Sequence, residues 1–533
     1  MRSSADDDQR HLRPRAWQLG VAKQPTPAHH RGFCLSACAG MTKLRDAQMP
    51  LIPFGEYRPD ITDYDQAPTG AVLNALPRGD GYGPMPALSA YSAALPGACR
   101  GFFKAIKTDG SVAIFAATAT KLWRLDNTNQ TWTDVSKGGG YSAVSSTDQW
   151  QFVQYINYVI AVQANAAPQF FDLTVSTAFA DLAGSPPQAR YAAVVGSFVV
   201  LSGLVNNPYR VQWSALGDPT GWTAGVNSSS FQDLPDGGIV RGVAGGEFGN
   251  IFQDTAIRRL VYAPGSPVIF QIERISDDRG LYAPYSLIRS GDQIFFLGPQ
   301  GFAQMDPSGY PAPIGKEKVN RTFLADLDTG NLQLVIGASD PRNNRVFWAY
   351  KSTNGAAGLF DKLICYDHVL ARFAPLAVSG EFLGSLSQPG LTLENLDSIS
   401  GSLDALIPSL DSFATSVTPE IAAFDASHKL GFFRGASLEA QVSTGAQAQA
   451  GRRVFVRGFR PVTDAGAAFG AVGKRERLTD TETFTAENAM DAAGSIPARA
   501  SSRYVRAKLR IPAGTAWSFA LGVEQELSLE GAR

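Results

Sequence analysis

The sequence predicts an all-β protein, a β-propeller of about six blades followed by a C-terminal β-sandwich module. Three observations predict it. Between Gly101 and Val378 an apolar run, a polar turn and a second run ending in an aromatic residue and often an Asp recur at roughly 40 to 55 residues, the spacing of propeller blades. The 53 Gly and 32 Pro residues among 533 favour a turn-rich β protein over a helical one. Near the C-terminus, strict apolar/polar alternation marks a strand with one buried face.

Residues 1–40 read as a disordered extension, in which Asp6, Asp7 and Asp8 precede scattered Arg, His and Pro without a period. Leu35–Cys38 matches a lipoprotein cleavage pattern. Its apolar lead is nevertheless shorter than the roughly 7 to 15 residues such a signal needs, and it follows His29, His30 and Arg31. The working chain is expected to begin near Met41. Residues 41–100, rich in Pro, Gly and Tyr, predict an extended strap laid over another surface. Within it, Arg78-Gly79-Asp80 has the composition of an adhesion tripeptide and reads as a Gly-rich turn inside Pro77–Gly83.

The propeller is assigned to 101–390. Its strand pairs are Val112–Ala117 with Lys121–Asp126, Tyr155–Val162 with Gln169–Asp172, and Tyr191–Leu201 with Arg210–Trp213. They continue as Gly249–Phe252 with Ile257–Tyr262, Gln293–Leu297 with Gly301–Asp306, and Arg345–Tyr350 with Leu363–Asp367. Each is a short apolar run bounded by turn residues. Residues 391–434 read as a loop insertion and a return strand. Leu-Asp recurs there at 396/397, 403/404 and 410/411, but Gly401 and Pro408 interrupt any helix with that spacing. Asp397, Asp404 and Asp411 are of Ca²⁺-ligand type, and the reading preferred for them is turn capping.

Residues 435–533 predict the sandwich. In Arg503–Ile511 the residues Val505, Ala507, Leu509 and Ile511 alternate with Arg506, Lys508 and Arg510, which places the first set on a core and the cations on one outer face. Trp517–Leu527 supplies the next strand. The three cations are the candidate DNA-facing or partner-facing residues, of a strength that gives only modest, salt-sensitive contact with phosphates.

A formal net charge of -1 sets up no global field that recruits nucleic acid or membrane. No apolar run approaches the roughly 18 residues that span a bilayer, so the mature chain is expected to be soluble. Cys34, Cys38, Cys99 and Cys365 lack metal-site or disulfide spacing. Local catalytic signatures are missing: five scattered His form no H-E-x-x-H, no G-x-S-x-G occurs, and Gly466–Lys474 has Ala468 and Arg475 where a phosphate loop needs Gly and Ser or Thr. Asp277, Asp278, Asp326 and Asp328 are of the type a glycosidase pairs across a sugar, and Asp126–Gln130 resembles part of a Ca²⁺ loop. Turns account for both. The expectation is a non-enzyme with no cofactor, and the alternative is a propeller that binds or degrades polysaccharide.

Several stretches together resemble one family, the packaged-DNA stabilisation or tail nozzle proteins of tailed bacteriophages and prophages. They are Pro53–Asp60 (PFGEYRPD), Val211–Trp222 (VQWSALGDPTGW), Phe231–Gly238 (FQDLPDGG), Asp278–Pro284 (DRGLYAP), Ile294–Phe302 (IFFLGPQGF), Ile314–Val319 (IGKEKV) and Arg503–Arg506 (RYVR). The resemblance runs from about residue 50 to the end. It implies a structural virion protein that assembles as a ring, a homo-hexamer, beneath the portal and adaptor. Such a ring would hold packaged double-stranded DNA and conduct it at infection, after assembly in the bacterial cytoplasm and without a membrane span. The resemblance does not map the insertion at Leu391–Val417.

Overall fold

The computed structural model describes residues 51–62, 71–266, 268–387, 419–448 and 452–529. Residues 1–40 with the Cys38 cleavage pattern, and 391–417 with the Leu-Asp repeat, lie outside them. The described chain is all-β apart from one α-helix, Asn320–Asp326, and short 3-10 turns. Seven antiparallel four-stranded sheets follow one another as the blades of a propeller.

Blades 1 to 3 begin with the strands Phe102–Ile106, Gln151–Tyr155 and Ala189–Val195. Blades 4 to 6 begin with Val240–Ala244, Ile288–Ser290 and Ile336–Asp340, and blade 7 with Phe382–Leu386. Second strands are apolar along almost their whole length because a neighbouring blade covers each face. Phe198–Leu204 is buried throughout, and Val112–Ala117 and Arg345–Tyr350 are buried except at the first residue. Some fourth strands meet solvent and are polar, as in Ser230–Asp233, whereas Arg372–Leu376 of blade 6 is covered and buries Phe373 and Leu376.

First strands line the axis and hold the ring together. Gln154 Nε2 donates to the Ile106 carbonyl at 2.5 Å, Gln151 Oε1 accepts from Ala192 N–H at 2.9 Å, and Gly196 N–H donates to Gly246 at 2.7 Å. Arg289 reaches the Gly245 carbonyl, and Trp348 Nε1 donates to Ser286 at 2.9 Å. Ser339 N–H donates to Ser385 Oγ at 3.1 Å, and Lys104 Nζ donates to Ser387 Oγ at 2.8 Å, which brings blade 7 back to blade 1. Every seam thus carries a hydrogen bond.

The expectation of about six blades is corrected to seven. The six strand pairs visible in the sequence belong to blades 1 to 6. Blade 7 is assembled from Phe382–Leu386, Glu420–Phe424, Lys429–Ser437 and, as its outer strand, Pro86–Ala94 from the other end of the chain. Residues 420–434, expected in an insertion and return strand, 435–437, expected in the sandwich, and 86–94, expected in the strap, therefore belong to the blade. Glu420–Phe424 and Lys429–Ser437 form a local hairpin, but its partners on either side, Phe382–Leu386 and Pro86–Ala94, are distant in sequence, so no local repeat announces the blade.

The C-terminal region is not a separate 435–533 sandwich. It contributes to two antiparallel sheets that both recruit the strap. One joins Ala75–Pro77 and Tyr82–Pro84 to Ala520–Leu529, Val454–Thr463 and Ile496–Ser502, with Leu51–Pro53 also paired to Ala520–Leu529. The other joins Val72–Leu73 to Ala440–Ser443, Tyr504–Ile511, Phe469–Arg475 and Thr483–Phe484. Val456, Phe459 and Val523 of the first and Val472, Val505 and Leu509 of the second share one core, which continues into Phe347, Phe360 and Leu383 of blades 6 and 7. Because Ser437 pairs with Pro86, this two-sheet body is inserted where the third and fourth strands of blade 7 meet.

Phe424 sits at the seam between blades 7 and 1, fully buried, with Phe102 at 5.5 Å and Trp132 at 5.8 Å between ring centroids. Phe424→Ala is expected to cost about 3–5 kcal/mol of unfolding free energy in urea titrations. A loss under about 1 kcal/mol would mean that the seam is not packed in this way.

Candidate functional site

Two cavities lie along the propeller axis, of about 420 Å³ and 530 Å³, and Pro284 and Tyr285 border both. Between them the axis is tied across. The Tyr285 hydroxyl accepts from Gln149 N–H at 2.8 Å, and Gln149 Nε2 donates to the Gln333 carbonyl at 3.2 Å. Arg100 Nε donates to Gln149 Oε1 at 2.8 Å. The connections that lead into blades 2, 5 and 6 are thereby linked to one another. Burial pushes the Tyr285 hydroxyl well up from its ordinary value, so it stays neutral and keeps its proton to donate.

Gln333 is placed by a neighbouring turn. Asp328 accepts from Gly330 N–H at 3.0 Å, Asn331 Nδ2 at 2.9 Å and Lys351 Nζ at 2.7 Å, which closes the 3-10 turn Thr329–Leu334. Lys351, first among these partners, and the amide donors hold the Asp328 carboxyl below its ordinary value.

Of the carboxylates singled out in the sequence, Asp277 is exposed in the bend after the strand Phe270–Ser276. Asp278 accepts from Ser276 Oγ and the Tyr310 hydroxyl, both at 2.9 Å. Asp326 accepts from the Tyr350 hydroxyl at 3.0 Å and Lys362 Nζ at 2.7 Å. With Asp328 in its turn, these three carboxylates serve hydrogen bonds within their own or adjacent segments; the structure does not assemble them into a site. Asp126 closes a hairpin tip through Thr128 N–H at 2.8 Å. In the tripeptide, Arg78 donates to the Ser518 carbonyl at 2.6 Å and its own N–H bonds to Gly81, a turn clamped onto the two-sheet body. Gly466–Lys474 runs into the strand Phe469–Arg475. Cys99 and Cys365 are buried free thiols, and burial pushes Cys365 up to about 12.

Arg506, Lys508 and Arg510 alternate along Tyr504–Ile511 with buried Val505, Ala507, Leu509 and Ile511, but Arg506 is itself buried, so the expected outer face of three cations is corrected to Lys508 and Arg510, both half-buried. That face is shared with carboxylates. Arg506 pairs with Glu482 at 2.6 Å and Lys508 with Glu487 at 3.5 Å, while Arg510 reaches Glu487 at 2.8 Å and Glu439 at 3.1 Å. Partial burial opposes it, yet Arg510 and Lys508 hold Glu487 below its ordinary value. Arg510 also lies 4.5 Å from the centroid of the Phe469 ring. The glutamates come from neighbouring segments, which alternation within a single strand does not reveal.

The axial residues Gln149, Tyr285 and Gln333 escaped sequence reasoning. Each lies in a connection ahead of a first strand, where no motif or period points to the axis. Among the described residues no helix is long and apolar enough to cross a membrane, and no cluster of three or more His, Cys, Asp or Glu has metal-site geometry.

No family model matches the chain, and no curated protein matches it. Solved structures do. An extracellular domain assigned to a one-component system of B. thetaiotaomicron has 10% identity and a TM-score of 0.38 over 70% of this chain and 43% of that one. The WD40 domain of Neurospora crassa Pan2 has 10% identity and a TM-score of 0.34 over 56% of this chain and 87% of that one. The chain thus spans less than half of the first protein's length, and these likenesses bear on no activity.

Asp328→Asn is expected to lower the melting temperature at pH 7, because it leaves buried Lys351 without its carboxylate. A depressed carboxyl stabilises the fold above its unfolded value, so the deficit should persist down to about pH 4 and close only as the pH falls below 3.8. Thermal melts across that range check it; a deficit independent of pH would contradict the charge pairing.

Proposed function

We propose that the chain is a structural virion protein of a phage or prophage tail. In this reading it forms a ring, a homo-hexamer, below the portal and adaptor, retains packaged DNA and conducts it at infection. The observation that carries the reading is where the residues of the resembling motifs go. They are spent on holding elements together. Asp60 caps the helix Asn320–Asp326 by accepting from Arg321 and Thr322 N–H at 2.8 and 2.9 Å. Asp218 accepts from Thr220 N–H at 2.8 Å, and Trp222 Nε1 bonds to Pro219 at 2.8 Å in the same turn. A Cβ on Gly280 would meet the Asp254 carbonyl oxygen at 2.2 Å, so that motif position is a close backbone contact.

A propeller tied across its axis passes no duplex, so the conduit of such an assembly lies between subunits, with the blades as its stiff wall. The two-sheet body gives each subunit a second, dissimilar surface, as a head-to-tail ring requires. A cation row matched by glutamates limits DNA to transient, non-specific contact, which suits a duplex that must slide. The polysaccharide alternative has no observation of its own, since Asp278, Asp326 and Asp328 are committed to structural hydrogen bonds.

The test is negative-stain imaging of the purified protein alone and mixed with portal and adaptor. Rings, or decoration of the portal–adaptor assembly, are expected. A chain that stays monomeric and ignores both would sink the proposal.

A further inference from the structure

We infer that the smaller axial cavity is a binding site for a small oxyanion-bearing molecule, a carboxylate or a phosphate, held by Arg190, Arg241 and Tyr191. This goes beyond the tail reading and does not depend on it.

The cavity, about 420 Å³, has walls contributed by blades 2 to 6 and falls within the size range of small-molecule sites. Arg190 stands on the first strand of blade 3 and Arg241 on that of blade 4. Both guanidinium groups are tethered at Nε. Arg190 Nε lies 3.3 Å from Asp148 Oδ2, and Arg241 Nε meets Asp254, whose other oxygen accepts from Ile239 N–H at 2.9 Å. Tethering at Nε orients each planar group and leaves its terminal nitrogens as donors. Those of Arg241 have no protein acceptor among the described residues, and Arg190 Nη1 makes only a 3.5 Å approach to the Gly203 carbonyl.

Tyr191 supplies the third donor. It is 6% exposed, lines the cavity, and its hydroxyl has no protein partner among the described residues. Its ring is packed over Gly203, a left-handed position at φ +60°, where a Cβ would meet the ring at 2.7 Å. Only Gly lets the ring lie there. Burial raises the Tyr191 hydroxyl from its ordinary value, so it remains protonated.

A wall with two oriented guanidinium groups and the unused hydroxyl of a buried tyrosine calls for an acceptor-rich ligand, and planar guanidinium groups match carboxylate and phosphate oxygens. Asp148 and Asp254 balance the two arginines, so the charge is not left uncompensated without a ligand. Asp148 also repels an anion on its side and so directs the ligand towards Arg241 and Tyr191.

The test is calorimetric titration of the full chain with inorganic phosphate and, separately, with glucuronate. Saturable one-to-one binding of either, with a Kd of about 1 mM or tighter, is expected; which one binds identifies phosphate or carboxylate as the recognised group. Arg190→Met and Arg241→Met should each weaken it at least about tenfold. Tyr191→Phe, which removes only a hydroxyl, and Arg241→Lys, which keeps the charge but loses the fork, should weaken it several-fold with circular dichroism unchanged. No binding of either anion overturns the proposal, as does binding that survives all four substitutions unaltered.

Discussion

The structure depends on one closure, the pairing of Pro86–Ala94 with Lys429–Ser437. A ring of blades without it would end in an exposed three-stranded sheet, with the apolar edge strands that invite misassembly. With it, the first and last blades meet through Phe102, Phe382 and Phe424 and through Lys104 and Ser387. Closure also fixes everything inserted beside it. The chain passes from the two-sheet body into the propeller at Pro86 and leaves for it again after Ser437, so the same hydrogen bonds that complete the ring anchor that body to the propeller.

Closure has a consequence for the axis. Once seven first strands are locked side by side, the connections between blades are pressed together at the centre, and Gln149, Tyr285 and Gln333 bond across it. The interior becomes a set of fixed walls rather than a passage. Function is then left to the axial cavity, with its tethered arginines, and to the outer surfaces of blades and sheets. The cations of Tyr504–Ile511 show how local charge misleads about such surfaces. Arg506, Lys508 and Arg510 look like a basic stripe until Glu482, Glu487 and Glu439 are placed beside them.

Much of the fold was legible because blade strands obey local rules. Val112–Ala117 and Arg345–Tyr350 are apolar because they are covered on both faces, and a run of five or six such residues between turns is visible in any window. The same holds for Val505, Ala507, Leu509 and Ile511, whose alternation correctly identifies their buried side. Blade 7 was illegible for a physical reason: its fourth strand lies more than 300 residues from its third, and its first two are separated by residues 387–419. The pairings of the strap were not visible either, since Val72–Leu73 and Ala75–Pro77 are strands only because the C-terminal sheets offer them edges. At the site, Asp278, Asp326 and Asp328 were visible as residue types, and their turn roles follow from neighbours close in sequence or on adjacent strands. Tyr191 opens a recognised run and Arg190 immediately precedes it, without any sign that they face the axis.

Hydrogen exchange followed by mass spectrometry on residues 86–94 tests the central claim most directly. If this strand closes the ring, its amides bonded to 429–437 open only with the blade, and they should exchange as slowly as those of 420–424. Rapid exchange in 86–94 while blades 1 to 6 remain protected would contradict the account, because the propeller would then hold together without the strand on which its closure is said to depend.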